Sequence, residues 1–102
     1  MRLNFKNIKD TSLNLLRRAG YGFLGADERT GEGSFTRRLS GGDYPRFHVY
    51  VKKEGDDLII NLHLDQKKPS YRGSFAHSAE YKSEVLEKEA ENLKNFFENM
   101  GR

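Results

Sequence analysis

The stretch Pro45-Arg46-Phe47-His48-Val49-Tyr50-Val51-Lys52-Lys53-Glu54-Gly55-Asp56-Asp57-Leu58-Ile59-Ile60-Asn61-Leu62-His63-Leu64-Asp65-Gln66 contains two runs of alternating polarity on either side of one turn signal. Phe47, Val49 and Val51 alternate with His48, Tyr50 and Lys52, and Ile60, Leu62 and Leu64 alternate with Ile59, Asn61, His63 and Asp65. Successive side chains of a strand point to opposite faces, so a period of two marks two half-buried strands joined by a tight turn. The apolar residues of both strands must share the core face, and a slip of one residue would turn every side chain over. A turn centred on Gly55-Asp56 then pairs Val51 with Ile60, Val49 with Leu62 and Phe47 with Leu64. On the other face Tyr50 meets Asn61, and His48 meets His63.

Upstream, Gly41-Gly42-Asp43-Tyr44-Pro45 is a turn, because glycine supplies positive φ and proline cannot sit inside a central strand. It follows a strand over Ser34 to Ser40, and Tyr21 to Gly25 supplies a possible further strand before the turn-rich Asp27 to Gly33. With Phe35 and Leu39 pointing inward, Thr36 and Arg38 share the face of His48, and Arg38 is expected beside it. Arg37 then points toward the core, a misfit for a cation. Thr11 to Ala19 reads as a helix burying Leu13, Leu15 and Leu16, capped by Asp10 or Thr11 and stopped at Gly20.

Downstream, residues 66–77 lack a period and read as a long loop, a class of segment that is often functional. Leu86, Ala90, Leu93, Phe97 and Met100 recur at helical spacing, with Ser78 or Ser83 as the N-cap and Gly101 as the stop. The acids of this helix are placed on its outer face, where Glu84 and Lys88 stand four residues apart. The expected fold is α+β: a short N-terminal helix, an antiparallel meander of three or four strands, a long loop, and a C-terminal amphipathic helix packed on one sheet face.

A length of 102 residues predicts a single domain over 1–102. Hydrophobic residues make up 35% and charged residues 32%, with a mean hydropathy of −0.85, so a lean core must draw on seven Phe and five Tyr. The absence of cysteine excludes disulfides, thiol nucleophiles and Cys-ligated zinc or iron–sulfur centres. Met1 to Asn7 lacks the apolar run of a signal peptide and no stretch reaches membrane-spanning length, so no membrane partner and a cytoplasmic location are expected. Charge is segregated: residues 1–53 hold eleven Lys/Arg against five Asp/Glu, and the remainder holds seven against ten. A basic half rich in arginine favours an anionic ligand.

The polar sheet face and the 66–77 loop together form the candidate ligand site, made of Arg38, His48, Tyr50, Asn61, His63, Asp65 and His77. The first reading is a phosphate-bearing or nucleic-acid ligand, RNA or DNA, held by Arg38, Arg46, His48, His63 and Arg72, with Tyr50 stacking on a base. An alternative is a metal-binding protein or metal-dependent hydrolase. Cross-strand histidines are close enough to share a zinc ion, so His48 and His63 with His77 and nearby Asp65 could activate a water. The third reading is a structural or interaction module, contacting a protein partner or a second copy through the meander edge or the last helix. The residues alone assign no catalytic role.

The helix-strand-strand-strand-helix order is similar to that of the double-stranded RNA-binding domain. That family has a lysine-rich start to its second helix, where this chain has the acidic Ser83-Glu84-Val85-Leu86-Glu87, so topology is all that carries over. Gly31-Glu32-Gly33-Ser34 precedes a strand and lacks a phosphate-loop lysine, which makes it a hairpin turn. Ser74 or Ser78 with His77 and Asp65 lacks the context of a nucleophile elbow, and these serines read as caps and turn formers.

Overall fold

A computed structural model describes residues 1–66 and 75–100 of the chain. In chain order its elements are β1 (Arg2–Phe5), α1 (Ser12–Arg18), β2 (Gly22–Ala26), β3 (Gly33–Arg38), β4 (Arg46–Glu54), β5 (Asp57–Asp65) and α2 (Phe75–Met100). The strands form one antiparallel sheet in the order β1-β5-β4-β3-β2.

The β4–β5 hairpin has the register that its alternating residues demand, with Val51 opposite Ile60, Val49 opposite Leu62, and His48 opposite His63. Its two-residue loop places Gly55 at φ +61, whereas Asp56 stays at negative φ. Positive φ at the first central position alone is the type II′ pattern, whose twist matches the strands it joins.

β1 lies beyond the expected elements. Leu3 and Phe5 alternate with Arg2 and Asn4, but four residues are too few for a period to stand out, and the segment becomes a strand by pairing along β5, with Leu3 opposite Ile60. The sheet therefore has five strands instead of three or four, and the short helix follows a strand instead of opening the chain. That extra strand also departs from the order shared with the double-stranded RNA-binding domain.

Thr11 caps α1, its Oγ1 accepting from the Asn14 N–H at 3.2 Å. Leu15 and Leu16 are buried, but Leu13 remains 39% exposed. In a helix of seven residues one narrow stripe reaches the sheet, and Leu15 and Leu16 occupy it, with the C-cap residue Ala19 packed beside them. The strand expected over Tyr21 to Gly25 is the edge strand β2, shifted by one residue to Gly22–Ala26 and bulged between Phe23 and Gly25.

α2 begins at Phe75, ahead of both Ser78 and Ser83, so His77 belongs to its first turn and not to the preceding loop. Arg72, expected at the ligand site, and Gly101, expected as the helix stop, lie outside the described residues, as does the side chain of Met100. Ala90, Leu93 and Phe97 are buried against Leu58, Ile60, Leu62 and the α1 leucines, so both helices cover the Val49/Leu62 face. Phe5 meets Phe97 with ring centroids 4.8 Å apart.

Arg37 does point toward that core, and α2 supplies its partner. Glu89 is 3% exposed, with its Oε1 2.7 Å from Arg37 Nη2, and it also accepts a hydrogen bond from the Tyr21 hydroxyl. The Arg37 guanidinium also lies 5.0 Å from the Phe47 ring centre. The expected placement of the helix acids on the outer face therefore fails at Glu89: a cation directed into the core needs a buried acid from the helix above it. Among the described residues no helix is long and apolar enough to cross a membrane.

Candidate functional site

Because both helices pack on one face, the other face presents the polar alternates of the strands. Ser34, Thr36 and Arg38 come from β3, Arg46, His48 and Tyr50 from β4, and Asn61, His63 and Asp65 from β5. Six expected site residues, Arg38, His48, Tyr50, Asn61, His63 and Asp65, thus lie on one surface. His77 is placed by its backbone in α2, and its side chain lies outside the described residues.

His48 is the hub. Its Nδ1 lies 2.9 Å from Asp65 Oδ2, and its Nε2 lies 2.6 Å from Ser34 Oγ. An ionised carboxylate can only accept, so Nδ1 carries the proton, and in the neutral form of the ring Nε2 accepts from the Ser34 hydroxyl. Asp65 Oδ2 also accepts from Arg46 Nε at 3.3 Å, and the Arg46 guanidinium lies 4.8 Å from the Tyr44 ring centre. The carboxylate therefore holds two cationic or polar partners in fixed orientation.

The rings form a strip across the face. Tyr50 stacks on His48 at 4.5 Å between centroids with an interplanar angle of 27°, and meets His63 edge-on at 5.7 Å. His48 is only 14% exposed beneath this stack, whereas Tyr50 is 38% exposed and His63 is open to solvent. Partial desolvation at the sheet surface pushes the His63 imidazole below the usual histidine value, and the positive charges of the Met1 ammonium, a protonated His48 and Lys82 push the same way against Asp65. His63 thus sits in positive potential.

Arg38 does not lie beside His48. The Leu39 N–H donates to the Pro45 carbonyl at 3.1 Å, and this closure sets Arg38 opposite Arg46 and Thr36 opposite His48. The exposed Arg38 guanidinium instead reaches Asp43 at 3.6 Å. Ser34 takes the position beside His48, a role that the alternation of β3 implies but that its place in a glycine-rich turn obscures. Arg46, expected to face a ligand, is turned toward Asp65.

Zinc requires an imidazole nitrogen lone pair from each histidine ligand. Both nitrogens of His48 are engaged, and among the described residues no group of three or more His, Asp or Glu side chains is placed to hold a metal ion.

Beside Ser34, a hollow of about 430 Å³ opens between β2 and Tyr50. Its wall includes Leu24, Gly25 and Ala26, and Asp27 and Glu32 stand at one side. No family model matches the chain, and no curated protein or solved structure matches it.

Proposed function

We propose that the open sheet face binds a phosphate-bearing ligand, in the form of single-stranded nucleic acid. The observation that carries this reading is the strip of rings, His48, Tyr50 and His63, on the sheet face opposite the helices. Single-stranded nucleic acid is bound where exposed aromatic rings stack on bases and cations follow the backbone, and each stacked base contributes about 1–3 kcal/mol. Tyr50 offers the exposed ring here. Arg2 and Arg38 lie exposed on the margins of the same face, and Arg38 is tied only to the exposed Asp43, a contact of little energetic weight. His63, already in positive potential, is suited to a phosphate oxygen.

Binding of a labelled oligouridine of about 12 nucleotides, followed by fluorescence anisotropy, tests the reading. Affinity should fall as salt rises, with a slope of about −0.7 for each phosphate neutralised. Tyr50→Ala should weaken binding by roughly 5- to 150-fold, the equivalent of losing one stacked base. Affinity indifferent to salt, or untouched by Tyr50→Ala, rejects it.

A further inference from the structure

We infer that Ser34 is a nucleophile activated by His48 and oriented through Asp65, and that the adjoining hollow accepts the acyl group of an uncharged carboxylic ester. This activity goes beyond nucleic-acid binding: His48 and Tyr50 belong to both sites, but Ser34 lies on the β2 side of the sheet face and has no part in the ring strip.

Three strands contribute one residue each to a continuous line. Ser34 Oγ is 2.6 Å from His48 Nε2, and His48 Nδ1 is 2.9 Å from Asp65 Oδ2. With Asp65 accepting from Nδ1, the Nε2 lone pair faces the hydroxyl, the tautomer a general base requires. Two further contacts hold the line in place. Tyr50 stacks on the imidazole at 4.5 Å and hinders its rotation, and Arg46 binds the same carboxylate oxygen as His48. A hydroxyl needing only a hydrogen-bond partner would be satisfied by His48 alone, but here the far nitrogen is also fixed by an acid.

The hollow gives the hydroxyl a substrate space. At about 430 Å³ it falls within the range of small-molecule sites, and Ser34 forms part of its wall. Gly25 is the cross-strand partner of Ser34 at the β2 bulge, and a side chain added there would meet nothing within 4 Å. Opposite-strand partners share a face, so the missing side chain leaves the approach to Oγ open. Leu24, Ala26 and the Tyr50 ring make the walls largely apolar, whereas Asp27 and Glu32 repel an anionic substrate. This selects an uncharged acyl group.

The step balances within the site and water. As Oγ bonds to the acyl carbon, its proton passes to Nε2. The carbon–oxygen bond to the leaving alcohol then breaks, and that oxygen takes the proton from Nε2. Water repeats the sequence: its proton goes to Nε2, its oxygen bonds to the acyl carbon, and Ser34 leaves with the proton. The products are an alcohol and a carboxylic acid.

The test treats the full chain with an alkyl fluorophosphonate and locates the adduct by peptide mass mapping. A phosphonyl adduct on Ser34 is expected, absent from Ser34→Ala and formed about 100-fold or more slowly in His48→Gln. Its rate should rise with pH, as activation of the hydroxyl by a base requires, a dependence that a merely structural hydrogen bond would not produce. Gly25→Val, which narrows the hollow from a position where an added Cβ meets no atom within 4 Å, should slow labelling while the melting curve shows a folded protein. Ser34→Ala should bind oligouridine as the unaltered protein does, so the two readings fail separately. The inference is overturned if the folded protein forms no adduct on Ser34, or if His48→Gln or Gly25→Val labels at the unaltered rate.

Discussion

Glu89 shows how one buried charge organises its neighbours. Its carboxylate is 3% exposed and is met by Arg37, by the Tyr21 hydroxyl and, at 3.4 Å, by the Asn92 amide. Burial, the hydrogen bond to Glu89 and the charge of Glu89 push the Tyr21 phenol far up, so it remains a donor. Burial works against the charge of Arg37, but its bonds to Glu89 more than offset this and hold the guanidinium above its usual value. Removing one member of a buried pair leaves the other charge uncompensated, at about 3–5 kcal/mol. Because Arg37 is one-third exposed, Glu89→Ala should cost the lower part of that range, measured by urea unfolding. Arg37→Met combined with Glu89→Leu should recover part of the loss, the Tyr21 hydroxyl still lacking its acceptor, and equal destabilisation by the double variant would refute the pairing of the two charges. The clue in the sequence is the coreward Arg37, which implies a buried acid without saying which one. The same limit applies at the candidate site: His48, Tyr50, Asn61, His63 and Asp65 follow from alternation, but the Ser34 contact depends on side-chain torsions that alternation does not specify.

Among the elements, length decides what is legible. β4 and β5 each run nine residues, enough for a period of two to define the face and, with the turn, the register. β1 has four residues and exists through its partner, and α1 has seven, so neither carries a pattern that separates Leu13 from Leu15 and Leu16. Arg38 departs from its expected place for a related reason: its neighbours depend on how the 39–45 segment closes, which the alternation of β3 does not determine. The turn between β4 and β5 can be tested alone. Gly55 sits at φ +61, and a Cβ added there would have no atom within 4 Å, so a side chain meets a conformational penalty and no steric clash. Gly55→Ala should therefore cost about 1–2 kcal/mol and Gly55→Asn less, since Asn tolerates positive φ. If both variants unfold at the urea midpoint of the parent, the turn does not constrain the hairpin.

For the molecule as a whole, the two-sided sheet separates two responses to acid. His63 has a folded-state value lowered from 6.5, so below that pH the unfolded chain binds more protons, and stability falls as pH drops toward the folded value. Asp10 is lowered by its bonds to Asn14 and Thr11, and Asp56 by Lys9. Their stabilisation is present above the unfolded value of 3.8 and is lost only as pH falls through their lower folded values, well clear of the histidine range. Binding should respond in the opposite sense. A phosphate beside His63 favours its protonated form and raises its value, so association takes up a proton and affinity should increase as pH falls. Oligouridine titrations at constant ionic strength from about pH 8 to about pH 5.5, where histidine changes charge, should show this increase. His63→Gln should flatten the profile while leaving the contribution of Tyr50 intact, and the ring proton of His63 should titrate at higher pH in the complex than in the free protein. An affinity that stays level across this range, with the protein still folded, would place the phosphate away from His63 and shift the binding face toward Arg38.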